Sequence, residues 1–270
     1  MIHYTEALTG LIADVVARVE PLAFIQLPRL LVFARPGRTG AEGAYATCHS
    51  LNLPTSEPGY YFWRDRRTGE ITRRSPWFVT KTPEVRMGRQ RLDYLLSFSI
   101  PRFCDQTLQG SRKAAYYPHG QPWIAKLDTV IHELYHIAPG DAGLRTVERA
   151  DGEASCRSHG PTFLEEVAGF VQAYLATRPD PARVDFLRYD FRGLVRRYGA
   201  VAGRTFRNFP SYPQRFHEVL ATQPDAPDVA IVSVPGSTQP RCYTEKDLQV
   251  RSFTLQGTRR VSIPQLDDAA

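Results

Sequence analysis

Cysteine is scarce in this chain of 270 residues, and the four that occur are widely spaced, with no CxxC pair: Cys48, Cys104, Cys156 and Cys242. Disulfide-dense secreted domains and zinc ribbons both need closely spaced cysteines, so the sequence predicts neither. It also lacks an apolar run long enough for a membrane helix, and its first residues lack a basic segment followed by an apolar one. We therefore expect a cytoplasmic protein without a membrane partner.

No repeat or low-complexity tract occurs either. Hydrophobic residues make up 42% of the chain and charged residues 23%, which is enough apolar material for a sizeable buried core. The formal net charge is +6 and the sequence pI about 9.2, a mild excess that favours acidic partners.

The most informative stretch is His132-Glu133-Leu134-Tyr135-His136, an HExxH motif. Two histidines four residues apart point the same way from one helix face, so both can bind one Zn²⁺. Glu133 is then placed to accept a proton from a water that the metal activates. The alternative is an ordinary amphipathic helix that carries two incidental histidines.

Apolar residues recur at helical spacing between Trp123 and Ile137, with Pro122 at the start and Pro139-Gly140 just beyond the end. One side of this helix would be buried, leaving Asp128, His132 and His136 on an adjacent face. The motif is therefore predicted to lie on a short buried helix.

A catalytic zinc needs a third protein ligand. Ala142 stands six residues after His136, where a metzincin has its third histidine, so that class is excluded. His159 directly precedes a second helical pattern that begins at Phe163, and we predict it as the third ligand. The alternative is a glutamate, as in gluzincins, and four are candidates by position: Glu148, Glu153, Glu165 and Glu166.

The motif pair resembles that of the SprT-like zinc metallopeptidases, the family of the DNA–protein crosslink protease Spartan. The matching residues are His132, Glu133 and His136, then His159, Gly160 and Phe163. The chain is also similar to phage and bacterial metallopeptidases with an HELxHI motif. The resemblance implies an α+β, compact zincin-like domain that binds one Zn²⁺ per chain. It also implies an association with DNA.

The upstream patterns agree with this order of elements. We predict a helix over Thr5–Val19 and strands over Leu30–Ala34, Ala44–Leu53 and Tyr94–Ile100. The metallopeptidase domain then covers residues 1–178, with an inserted hairpin at about 55–91 that turns at Thr68-Gly69. A basic helical extension is expected over 179–222. A linker and a small β-rich appendage are expected over 223–270, with strands at Val229–Val234, Gln249–Leu255 and Thr258–Ile263.

The segment from Arg183 to Arg215 alternates arginines with aromatic residues. Such a pattern can bind the phosphates and stack on the bases of a nucleic acid. The other interpretation, which we favour, is a helix whose basic face is solvated.

These patterns together predict a zinc metalloendopeptidase with Glu133 as general base and a protein or peptide as substrate. An exposed edge near Ala44–Leu53 or Leu95–Ile100 would hold the peptide by strand addition. For Tyr135 and Tyr174 we favour a role in packing, and the alternative is a hydrogen bond to the oxyanion. The alternatives are a DNA-associated protein of Spartan type and a zinc-binding module without catalysis.

Overall fold

The computed structural model describes residues 1–52, 58–60, 62–140, 143–145, 159–207, 216–222, 241–254 and 257–260. This part of the chain has a mixed α+β structure, as the sequence predicts. Its α-helices are α1 Tyr4–Arg18, α2 Ile124–Tyr135, α3 Phe163–Ala176, α4 Pro181–Val184 and α5 Phe191–Tyr198. No helix in the described ranges is both long and apolar enough to cross a membrane.

The strands form several small sheets. In chain order they are β1 Ile2–His3, β2 Leu30–Gly37, β3 Ala46–Ser50, β4 Phe62–Arg64, β5 Ile71–Arg74, β6 Phe78–Lys81, β7 Glu84–Met87, β8 Gln90–Arg91, β9 Tyr94–Pro101, β10 Val201–Phe206, β11 Phe216–Val219, β12 Cys242–Tyr243, β13 Leu248–Thr254 and β14 Gly257–Arg260.

The sheet nearest the HExxH helix has the order β2-β9-β3. Strand β9 lies in its centre, parallel to β2 and antiparallel to β3, and all eight of its residues are buried. Its nearly continuous apolar sequence reflects this double-sided burial. The prediction that Leu95–Ile100 offers an open edge is therefore wrong, because strands cover β9 on both sides. Strand β3 lies at the edge.

Side chains alternate between the two faces of this sheet, as the two-residue period of a strand requires. Val32, Leu96 and Phe98 contribute to the main core, in which α1, α2 and α3 also bury their apolar faces. Leu31, Phe33 and Leu95 point into a second, smaller core. Helix α2 is thus packed against the same face as the buried side chains of β3.

A second sheet joins distant parts of the sequence, in the order β1-β10-β13-β14. The expectation of a helical segment over 179–222 holds only as far as Tyr198, because Gly199, with φ of 79°, ends α5 and β10 follows. Strands β13 and β14 overlap two strands predicted for the C-terminal β segment, and they pair onto β10.

Hydrogen bonds from Lys126 connect α2 to the segment that precedes α5. The Nζ of Lys126 is buried and donates hydrogen bonds to the carbonyl oxygens of Leu187, at 2.9 Å, and Tyr189, at 2.7 Å. An ammonium group pays a large desolvation penalty in an apolar core, and these two acceptors offset it.

The predicted hairpin is present: β4 and β5 pair antiparallel, and Gly69 lies between them with φ of 75°. After it, β6 pairs with β11, while β7 pairs with β8 and β12. The predicted linker and the strand Val229–Val234 lie outside the described residues.

Candidate metal centre

Three histidine side chains meet at one point between α2 and α3. His132 lies in the last turn of α2, His136 caps its C-terminal end, and His159 comes four residues before α3 begins. The Nε2 atom of His132 is 3.2 Å from that of His136 and 3.2 Å from that of His159, and the remaining pair is 3.1 Å apart. The structure thus brings together all three histidines that the sequence predicts, and this cluster can hold a metal ion.

Three Nε2 atoms this close together are poorly satisfied by one another. A ring nitrogen is either a donor or an acceptor, so at least one of the three pairs must bring two like groups together. A cation removes this conflict because all three nitrogens can then act as ligands. Two nitrogens bound to one tetrahedral Zn²⁺ at about 2.0–2.1 Å lie about 3.3–3.4 Å apart, close to the spacing seen here.

Burial favours the neutral imidazoles that metal binding requires. It lowers the pKa of His132 to about 2, with help from the neighbouring His136 and Lys113. Burial, followed by the charge of His159, lowers the pKa of His136 to about 4. The pKa of His159 is also lowered by burial.

The ring of Phe163, the first residue of α3, packs against all three histidines. Its centroid lies 4.9 Å from that of His132, 5.0 Å from that of His136 and 4.6 Å from that of His159. The side chain is buried. Phe163 therefore forms an apolar wall that restricts the rotation of each imidazole ring.

Glu133 is buried beside this cluster, with 6% of its surface exposed. Its Oε2 accepts a hydrogen bond of 2.7 Å from the backbone N–H of Cys48 in β3. Burial raises the pKa of Glu133 to about 7, while that hydrogen bond and the charges of Lys113 and Arg35 oppose the rise. A carboxyl group with such a pKa can accept and return a proton near neutral pH.

A polar cluster lies one helical turn before the first histidine. The carboxylate of Asp128 is buried, and it pairs with the Nζ of Lys113 at 2.6 Å. Its other oxygen accepts from the hydroxyl of Tyr117 at 2.7 Å, while Lys113 also donates to Thr129. These contacts fix the rotation of α2 about its axis, and with it the direction of the histidines.

The two tyrosines considered for the oxyanion differ in their surroundings. Tyr174 is fully buried, and its hydroxyl donates to Asp14 of α1 at 2.7 Å, which agrees with the favoured packing role and not with the oxyanion alternative. Tyr135 is half-buried, donates to Glu166, and has the guanidinium of Arg145 over its ring at 4.3 Å.

Of the four glutamates considered as ligands, Glu165 and Glu166 are exposed on α3 and are not part of the histidine cluster. Glu148 and Glu153 lie outside the described residues.

In the basic segment, Phe191 and Phe206 are core residues, so they cannot stack on bases. Arg197 pairs with Asp185 and Arg204 with Glu6. Phe209, Tyr212 and Arg215 lie outside the described residues.

Sequence patterns did not reveal two features of the site. The hydrogen bond from Cys48 to Glu133 depends on a backbone N–H, which leaves no trace in residue type. The role of Phe163 was hidden because an apolar residue at the first position of α3 is already explained by the core.

Comparisons of the chain with protein-family profiles, curated proteins and solved structures give no match.

Proposed function

We propose that this protein is a zinc metallopeptidase in which His132, His136 and His159 hold the metal and Glu133 is the general base. The observation that carries the proposal is the convergence of three neutral imidazoles beside a buried carboxyl group. A purely structural zinc site has four protein ligands and no use for such a base. Three ligands and a carboxylate are the composition of a hydrolytic site.

Zinc is the metal that this donor set favours, because imidazole nitrogen suits it and tetrahedral coordination leaves one position for water. When bound, Zn²⁺ lowers the pKa of its water from 15.7 to about 7 and polarises the scissile carbonyl. The chain's own contribution is to supply three ligands that are already neutral, with rings held in place by Phe163.

Glu133 moves the proton. The bond from Cys48 N–H occupies its Oε2 and leaves Oε1 to accept a proton from the attacking water. The same carboxyl group then returns that proton to the leaving amine. Because burial raises its pKa to about 7, both protonation states of Glu133 are accessible near neutral pH.

The edge strand β3 offers a place for the substrate backbone. The carbonyl of Tyr45 and the N–H of Leu51 face β9, where they bond Ser99 and Asp93. Backbone groups alternate in direction along a strand, so those of Ala46, Cys48 and Ser50 face away from β9. An extended peptide that pairs with this edge lies directly beside Glu133.

Within this proposal the fold is zincin-like: a helix and an edge strand precede the HExxH helix, and the third ligand comes just before the next helix. A DNA-associated role of Spartan type has less support, because two of the aromatic residues in the basic segment are buried. A zinc-binding module without catalysis is disfavoured by the buried, hydrogen-bonded Glu133.

The test is to compare Glu133→Gln with Glu165→Gln, a change of the same type on an exposed position of α3. Both variants should retain one zinc per chain by elemental analysis. Glu133→Gln should lose hydrolysis of casein or of a fluorogenic peptide library by roughly 10²–10⁴-fold, the usual contribution of a general base. Equal rates in the two variants, or a wild type without bound zinc, would refute the proposal.

A further inference from the structure

A cavity lies at the beginning of the edge strand β3, and its chemistry differs from that of the metal centre. Its lining includes three arginines and a single carboxylate: Arg35, Arg38 and Arg102, with Glu42. The remaining lining residues are small or without charge: Pro36, Gly37, Ala41, Gly43, Ala44 and Ser99. The cavity therefore has a net positive charge.

Strands β2 and β9 approach each other closely at the wall of this cavity. A Cβ atom at Gly37 would lie 2.5 Å from the Cβ of Ser99, so a larger residue does not fit there. The hydroxyl of Ser99 donates to the carbonyl of Ala44 at 3.1 Å and holds the two sides together. The wall beside the arginines is thus fixed by the close approach of β2 and β9 and by this hydrogen bond.

Two of the arginines are held in place by the chain around β3. Nη2 of Arg35 donates to the carbonyl of Ala44 at 3.3 Å and to the hydroxyl of Thr47 at 3.1 Å. The guanidinium of Arg102 lies 4.6 Å from the centre of the Tyr45 ring. Within the described ranges, neither Arg102 nor Arg38 has a carboxylate partner. A planar guanidinium without a partner is well suited to bind a carboxylate through two hydrogen bonds.

The chain connects this cavity to the proposed substrate-binding edge. Ala44 and Tyr45 precede Cys48, whose N–H contacts the general base, by three to four residues on the same extended segment. At about 3.3 Å per residue, this part of the cavity wall lies about 10–13 Å along the strand from Cys48. A peptide paired with β3 advances by the same rise, so its residue three to four positions from the cleaved bond comes level with Ala44 and Tyr45.

We propose that this cavity binds a carboxylate of the substrate, so that the enzyme prefers peptides with a negative charge three to four residues from the cleaved bond. The inference rests on the proposed peptidase function. The carboxylate comes either from an Asp or Glu side chain or from the C-terminus of the substrate.

Cleavage of matched fluorogenic peptides tests this inference. The set carries Glu or Gln at each position around a fixed cleavage site, and each peptide is made with a free or an amidated C-terminus. We expect kcat/KM to be roughly tenfold higher for Glu than for Gln at one position three or four residues from the bond, as a charge-assisted hydrogen bond supplies. An advantage of the free over the amidated peptide instead assigns the cavity to the terminal carboxylate.

Variants connect the preference to the cavity. In Arg38→Gln and Arg102→Gln the ratio of kcat/KM between the Glu and Gln peptides should fall towards one, and Arg102→Glu should favour a Lys peptide. Arg89→Gln, which removes the same charge from an exposed turn, should leave the ratio unchanged. A ratio that does not respond to Arg38 or Arg102 overturns the inference.

Binding of the same labelled peptides to zinc-loaded Glu133→Gln, followed by fluorescence anisotropy, separates this inference from the proposed function. Cleavage without any charge preference contradicts the inference that the cavity binds a carboxylate, but it agrees with the proposed peptidase function. Absence of cleavage by the wild type overturns the peptidase, while the anisotropy still shows whether acidic peptides bind better. If Arg38→Gln and Arg102→Gln reduce affinity for single-stranded DNA but not for acidic peptides, the cavity serves phosphates and the inference is wrong.

Discussion

The backbone N–H of Cys48 donates a hydrogen bond of 2.7 Å to Oε2 of Glu133, which lies 85 residues later in the chain. This bond joins the edge strand to the HExxH helix and fixes one oxygen of the proposed base. It also places the base beside the backbone that a bound peptide would pair with. The orientation of Glu133 thus depends on the sheet as well as on its own helix.

Replacing Cys48 by Pro removes this N–H. Because the N–H faces away from β9, no hydrogen bond of the sheet is lost, and an edge position of this kind accommodates proline. We expect kcat to fall roughly tenfold, the effect of losing one hydrogen bond to a charged group. Cys48→Ala keeps the N–H and is the matched control, with activity near that of the wild type. Similar rates in both variants would show that the bond does not orient the base.

His159→Ala should remove most of the bound zinc, because it deletes one of the three proposed ligands. The controls are His119→Ala, on an exposed position, and His217→Ala, whose ring is stacked on Phe78 at 4.2 Å in another sheet. Both controls should keep one zinc per folded chain by elemental analysis after dialysis. Full zinc content in His159→Ala would favour a glutamate ligand instead.

Phe163→Ala should weaken zinc binding by roughly 10–100-fold, the range seen when a residue that orients metal ligands is lost. Phe163→Leu retains an apolar wall and should lose less. Competition with a chromophoric chelator measures the affinity, and the absorption spectrum of the Co²⁺-substituted protein reports on ligand geometry. Phe24→Ala, a change of the same type on a surface residue, should alter neither. An unchanged Co²⁺ spectrum in Phe163→Ala would argue against a positioning role.

Asp14 predicts a dependence of stability on pH. Burial acts to raise its pKa, but hydrogen bonds from Arg18 and Tyr174 outweigh it, so the pKa is lowered. A lowered carboxyl pKa adds stability that is present above the unfolded value of 3.8 and is lost as pH falls through the folded value. The wild type should therefore have a larger free energy of unfolding than Asp14→Asn at pH 6, and this difference should be smaller at pH 3.5.

Urea unfolding at the two pH values measures that difference. Glu20→Gln, which neutralises an exposed carboxylate near the end of the same helix, is the control and should show no comparable change. A difference for Asp14→Asn of the same size at both pH values would contradict the linkage.

The sequence predicted those parts of the fold that depend on local periodicity. The long helices over Tyr4–Arg18, Ile124–Tyr135 and Phe163–Ala176 were each indicated by apolar residues at helical spacing, and the three strands of the sheet by their apolar runs. The three histidines were indicated by spacing and by order along the chain.

Contacts between distant segments could not be predicted in the same way. The apolar sequence of β9 was compatible with an edge or a central position, and only its pairing with β2 and β3 decided between them. The same holds for Val201–Phe206, a part of the basic segment that forms a strand paired with β1 and β13. The periodicity of a sequence indicates which face of a helix or strand is buried. It does not indicate which other elements pack or pair with that helix or strand.

The bonds of Lys126 also bear on the order in which the site is made during translation. The HExxH helix is synthesised before its partners. The carbonyl groups that accept from Lys126, those of Leu187 and Tyr189, follow 61 and 63 residues later in the chain. Until then the nascent helix carries an ammonium group with no place in an apolar core. A chain that stops between His159 and Leu187 therefore contains every proposed zinc ligand but lacks both carbonyl groups that accept from Lys126.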